Sequence, residues 1–458
     1  MNYITLTVVF LSFSVAKTQQ TISDSLKTVF IDHLNQLIEA NYVFPKVATS
    51  ITANLSEKND AGYFKQFQTM ETFAEAVTDQ LRSVNGDLHL KVATLTAAES
   101  DESISGFINE CIADYVNPRL EFAGFNSVRN LGDGVGYLNL SLFRNQAFSI
   151  VDSYMKILQY SDALIIDLRD NRGGTTEMVN YLLSYFFEGS IHSSNTVNKK
   201  GEIKEVWTRP NVNGTKLSKE PLFILINGKT ASGAEGFSFA MKNKKRAKLI
   251  GEKTIGAAHS GGRWYIDGFS IFVPNERHVD PVSETDWEGK GVIPDIMVAS
   301  EAALDTALIL AKDASSQFRN NYTNKYQTVF KQITELLDRV QKEQRIDARE
   351  LIRLVTQLME WEILSENAIN AMGYTYMENN ETKAAEILFK VNTILFPNSA
   401  NVYDSYADAL EQNGKLAASL DSYKKALDTA IRNKNTNLEG YKQRIKRVSD
   451  KIGNAKND

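Results

Sequence analysis

From Ile22 to about Ser83, apolar residues return at three- and four-residue spacing. SLKTVFIDHLNQLIEANYVF and TMETFAEAVTDQLRSV read as amphipathic helices of a small bundle, with Pro45 marking a turn between helices. The period then changes. Between His89 and about Val298 short β-like runs recur: LHLKVATL, GVGYLNLSLF, ALIIDLR, PLFILING, AKLIGE and FSIFVP. Several are continuously apolar, as strands covered on both faces are. Helical stretches such as TTEMVNYLLSYFF and GAEGFSFAMKNKK fall between them, which argues for an α/β core with crossover connections.

After Asp295 the pattern is helical to the end, and the last part repeats. Gly373, Asn380, Ala384 and Phe389 align with Ala407, Gly414, Ala418 and Tyr423, each pair 34 residues apart, the tetratricopeptide period. The alternative is an ordinary pair of helical hairpins. The expected division is 1–16 signal peptide, 17–85 bundle, 86–300 core, 301–365 helical connector and 366–458 tetratricopeptide-like repeats.

The run Ile4 to Ala16 is apolar, too short to span a bilayer, and ends in Ser14-Val15-Ala16, as a cleaved export signal does; it lacks a basic n-region. No other stretch is apolar enough to span a membrane. The chain has 458 residues and net charge −5, with no basic stripe interleaved with aromatics, which argues against a nucleic-acid partner. Cys111 is the only cysteine, so no internal disulfide is available; a small buried hydrophobe is expected there.

Ser232 follows the buried strand pattern Phe223 to Ile226 and opens a helical pattern at Gly233. A hydroxyl there could attack a carbonyl while helix-terminal N–H groups hold the oxyanion; it could equally be an N-cap. IIDLRDNRGGTTEM places Gly173-Gly174 after another buried strand, where backbone N–H groups can meet a ligand oxygen. Of five histidines, His33 falls in the bundle and His192 in a polar loop. His89, His259 and, less readily, His278 remain as general-base candidates. Glu288, in the Gly-rich turn TDWEGKGVIPDI, could orient an imidazole.

Together these stretches resemble peptidase family S41, the C-terminal processing and tail-specific serine proteases, over roughly Ile22 to Val298. TASGAE followed by AKLIGEKTIG carries most of the likeness, with DLRDNRGG and WEGKGVIPD in support. The processing subgroup uses a Ser–Lys dyad, but Ala257 stands at its lysine position. GDLHLKV, GAAHSGG and NYVFPKVA are instead similar to the tricorn-core and interphotoreceptor retinoid-binding subgroup. That resemblance implies a ClpP/crotonase-like ββα superhelix, with Ser232 as nucleophile, His89 as base and Glu288 as supporting acid. It also implies an oxyanion hole from Gly233 with Gly173 or Gly174, His259 on the substrate side, and no metal or cofactor. Leu88 stands where the tricorn type has a serine, and no PDZ insertion is evident. The expected activity is an exported serine peptidase acting on oligopeptides or exposed chain ends, with a possible protein partner on the helical tail. The competing reading is a non-catalytic lipophile- or peptide-binding protein on the same scaffold.

Overall fold

The computed structural model describes residues 20–95, 119–436 and 438–454, with scattered helical positions between 108 and 117. The apolar N-terminal run Ile4–Ala16 lies outside the described residues. The chain divides into two compact units between Phe318 and Arg319.

The first unit opens with α1 (Asp24–Asn41), α2 (Pro45–Asp60) and α3 (Met70–Ser83). Ser23 caps α1 and Thr69 caps α3, each hydroxyl accepting a first-turn amide at 3.2 Å. Pro45 sits in the first turn of α2, where its missing N–H costs nothing. The apolar stripes of the bundle converge on Phe30 and Phe73, which pack on Phe269 with ring centroids 4.5 and 5.7 Å away. The bundle is therefore seated on a β-sheet.

That sheet is antiparallel. It contains β1 (Lys91–Thr94), β5 (His192–Asn198), β6 (Ile203–Trp207), β9 (His259–Ile266) and β10 (Phe269–Val279), in the order β1-β10-β5-β6 with β9 also paired to β10. A second sheet runs β2-β3-β4-β7-β8-β11, from β2 (Phe125–Asn130), β3 (Val135–Leu140), β4 (Ala163–Asp167), β7 (Leu222–Ile226), β8 (Lys248–Gly251) and β11 (Ile296–Met297). Its strands are parallel except for β2, which runs antiparallel to β3. Every residue of β4 and β7 is buried because both faces are covered. One face carries α4 (Phe148–Leu158), α5 (Thr176–Leu183) and α6 (Gly233–Asn243); the other takes Ala303, Ala307 and Ala311 from the start of α7 (Ala303–Gln341). Each buried Ile or Leu of these strands contributes roughly 1.5–3 kcal/mol.

The apolar runs foretold β1, β3, β4, β7, β8 and the first half of β10. Strands β2, β5, β6, β9 and β11 were not foreseen. In β5, HSSNTVN, the residues turned inward are Ser193 and Thr196 rather than aliphatics, so no hydrophobic alternation marks it. His192 thus opens a strand instead of lying in a loop, stacked on Trp207 at 4.8 Å between centroids. Cys111 is exposed rather than buried, on a helical stretch whose described neighbours Ile112, Tyr115 and Val116 also face solvent.

In the second unit, α8 (Ala348–Glu360) precedes two hairpins, α9 (Glu366–Glu378) with α10 (Thr382–Leu395) and α11 (Ala400–Gln412) with α12 (Leu416–Arg432), then α13 (Glu439–Asn454). Corresponding helices of the hairpins begin 34 residues apart (400 − 366 and 416 − 382). Gly373 admits the Phe389 ring, which an added Cβ would approach to 2.4 Å. Among the described residues no helix is long and apolar enough to cross a membrane.

Candidate active site

Two loops leave the carboxyl ends of adjacent parallel strands, Asp170–Gly174 after β4 and Asn227–Ser232 after β7, and they are laced together. Asn171, fully buried, sends its Nδ2 to Leu140 O (2.8 Å), accepts Gly173 N–H on Oδ1 (2.8 Å), and takes Ala231 N–H on its carbonyl (2.9 Å). Thr230 Oγ1 donates to Leu168 O at 2.9 Å. Ser232 ends the second loop with φ 52° and ψ −118°, a left-handed conformation that favours glycine and strains a serine. Glu235, one turn into α6, accepts the Ser232 N–H at 2.8 Å. The same fully buried carboxylate accepts Thr254 Oγ1 (2.5 Å), Gly256 N (2.7 Å) and Ala257 N (2.8 Å). Burial pushes its pKa up while these four donors pull the other way.

Gly173 and Gly174 have φ of 92° and 134°. A Cβ on Gly174 would fall 2.1 Å from Phe143 O, and one on Gly173 2.6 Å from Gly233 N, so only glycines fit against Ser232. The Gly173 N–H is spent on Asn171. The N–H groups of Gly174 and Gly233 have no recorded acceptor among the described residues.

Ser232, Gly233 and Gly174 line a cleft of about 670 Å³, part of it open to solvent. His259 lines it too; His89 does not. His259, 3% exposed, opens β9 opposite Arg277 of β10. Its Nδ1 donates to Asp87 Oδ2 at 2.8 Å and lies 3.6 Å from Glu288 Oε2, whereas its Nε2 is buried without a partner among the described residues. Asp87 also accepts Tyr42 OH (2.9 Å) and the backbone N–H of His89 (3.0 Å). Burial opposes its ionisation, but hydrogen bonds from His259, His89 and Tyr42 more than offset that, and its carboxyl stays well below the usual range. For His259, burial disfavours the charge, but Asp87, Glu288 and Asp286 outweigh it and the pKa is raised.

His89 faces the other carboxylate oxygen of Asp87. Its Nδ1 is 3.7 Å from Asp87 Oδ1 and its ring centroid 6.4 Å from that of His259. Glu288 accepts Ala258 N–H at 2.5 Å, and burial raises its pKa despite the nearby His259 charge. The ligand atoms of Asp87, His259 and Glu288 lie within 4.8 Å of one another, close enough to hold a cation. Among the described residues no lysine or arginine lines the cleft, and Ala257 is buried with its carbonyl accepting Trp287 Nε1 (3.0 Å). Asp87 carries one signal in the sequence, its place in the Gly-Asp turn two residues before His89.

Residues 134–298 match peptidase family S41, and residues 14–114 match the N-terminal domain of Peptidase_S41 in eukaryotic IRBP. Residues 134–298 thus carry a peptidase family S41 domain. A carboxyl-terminal-processing protease of Synechocystis is 33% identical over 171 residues, covering 36% of this chain and 38% of the relative. The chloroplastic carboxyl-terminal-processing peptidase 2 of Arabidopsis thaliana is 31% identical over 164 residues, covering 35% and 31%. The matches thus span about a third of each curated relative. Among solved structures, mature CPAF aligns over 65% of this chain and 98% of its own at 12% identity, with a TM-score of 0.46.

Proposed function

We propose that the chain is a serine peptidase in which Ser232 is the nucleophile and His259, in place of His89, is the general base. Asp87 orients His259, and Glu288 flanks the pair. The observation that carries this reading is an imidazole whose Nδ1 is bound to a carboxylate and whose buried Nε2 has no partner among the described residues, in the cleft that Ser232 lines.

His259 Nε2 takes the Ser232 proton as Oγ bonds to the scissile carbonyl carbon. The oxyanion is held by the N–H groups of Gly233 and Gly174, Gly173 being committed elsewhere. Collapse breaks the C–N bond, and the amine leaves with the proton from Nε2. Water then gives a proton to Nε2, attacks the ester, and Ser232 regains its proton as the acid product departs. Oligopeptides or exposed chain ends are the substrates, which agrees with the processing role in the relatives' names. The reading extends to an export signal at 1–16, a bundle at 17–85, a peptidase core at 86–300, a connector at 301–365 and a tetratricopeptide-like partner surface at 366–458.

A fluorophosphonate probe labels the wild type and not Ser232→Ala, with peptide hydrolysis lost in parallel. Full hydrolysis in both Ser232→Ala and His259→Ala overturns the proposal.

A further inference from the structure

The cleft beside Ser232 carries one acidic group that the chemistry above does not use. Asp280 follows β10 directly and lines the cleft, yet it is 3% exposed. Its two carboxylate oxygens do different things. Oδ1 is occupied by the turn that follows, accepting Val282 N (3.0 Å), Ser283 N (2.8 Å) and Ser283 Oγ (3.0 Å). Oδ2 is buried with no hydrogen-bond partner within 3.5 Å among the described residues. Burial works against its charge, but the turn donors and, more weakly, the Asn243 side-chain amide hold its carboxyl below the ordinary range.

A buried carboxylate normally has a countercharge, because an isolated ion in a low-dielectric site is costly. Here none is present among the described residues: no lysine or arginine lines the cleft and no ion pair involves Asp280. His278, two residues earlier and lining the same cleft, is no substitute. Burial, with repulsion from His259 and His89, pushes its pKa down to about 4, so it is neutral near pH 7. The rest of the wall suits an aliphatic stem: Val179, Leu183, Val206, Phe239, Ala240 and Trp287.

We infer that Asp280 is a specificity residue, and that the cleft takes a lysine or arginine side chain on the acyl side of the scissile bond. The stem lies along the apolar wall and the cationic head supplies the partner that Oδ2 lacks. This rests on the serine-peptidase reading for its catalytic arm only.

The test compares fluorogenic peptides that differ only in that residue: lysine, arginine, norleucine and alanine. Wild type should cleave the lysine and arginine peptides with kcat/KM about tenfold or more above norleucine. Asp280→Asn keeps an oxygen for the turn and should bring that ratio close to one, with the loss carried in the cationic substrates and norleucine turnover retained. Fluorophosphonate labelling of Ser232 should be unchanged in the variant, which a merely structural role for Asp280 would not preserve. Equal cleavage of norleucine and lysine peptides by wild type, or an unchanged ratio in Asp280→Asn, overturns the inference. If wild type neither labels nor cleaves, the peptidase reading fails separately, and calorimetry with benzamidine decides the pocket. Binding by wild type that is lost in Asp280→Asn upholds the cation site, and equal or absent binding rejects it.

Discussion

His259 Nδ1 donates to Asp87 Oδ2 at 2.8 Å, joining the first residue of β9 to the turn that precedes β1 across 172 positions of sequence. With Nδ1 bound this way, the lone pair of Nε2 is the one left to take a proton, which the proposed mechanism draws from Ser232. Asp87→Asn presents either an amide hydrogen or an oxygen to that nitrogen and no longer enforces the tautomer. Turnover should fall about a thousandfold or more while the fold persists. Steady-state kinetics beside circular dichroism measures both.

The two histidines should separate cleanly. His259→Ala removes the proposed base and should abolish peptide hydrolysis and slow fluorophosphonate labelling drastically. His89→Ala leaves the backbone N–H that Asp87 accepts and should cost about tenfold or less. Comparable losses in both variants would restore His89 to the role first expected of it.

The proposed mechanism needs neutral His259, whose pKa is raised above 6.5. The acid limb of kcat/KM should therefore have its midpoint above pH 6.5. In Asp87→Asn the carboxylate charge is gone, burial dominates, and the midpoint should move to lower pH.

The same pair makes stability pH-dependent. His259, with its pKa raised by folding, stabilises fully below pH 6.5 and loses that contribution as pH rises through the folded value. Asp87, with its pKa lowered, contributes above its ordinary 3.8 and loses that as pH falls through the folded value. The melting-temperature gap between wild type and Asp87→Asn should be widest at about pH 4–6.5 and narrow above it.

Glu235 accepts four hydrogen bonds while fully buried. Glu235→Gln turns an amide NH₂ toward groups that are themselves donors. We expect a loss of about 3 kcal/mol or more in denaturant unfolding, with weakened Ser232 labelling because the same carboxylate anchors the Ser232 N–H.

Much of this was legible beforehand. The continuously apolar runs of β4 and β7 marked the parallel sheet, because strands covered on both faces must be apolar throughout. The glycines around Ser232 were legible because left-handed turns and close approach admit little else. Which imidazole lines the cleft was not. His89 and His259 both neighbour Asp87, and only the β9–β10 register puts one of them into the cleft. Strand β9, with Gly261-Gly262 and several polar positions, carries no clean alternation, so its pairing was hidden. Asp87 itself looked like a turn residue, since what makes it more is a partner 172 positions away.

Tyr42, at the carboxyl end of α1, donates to the Asp87 carboxylate at 2.9 Å and is itself held by Asn85 Nδ2 at 2.7 Å. The helical bundle is thereby wired into the chemistry instead of merely preceding it. Trimming the chain to residues 134–298, the segment that carries the family signature, would retain serine and imidazole but discard the acid that sets the ring and the phenol that steadies the acid. On the proposed mechanism the smallest working unit is larger than the smallest recognisable one.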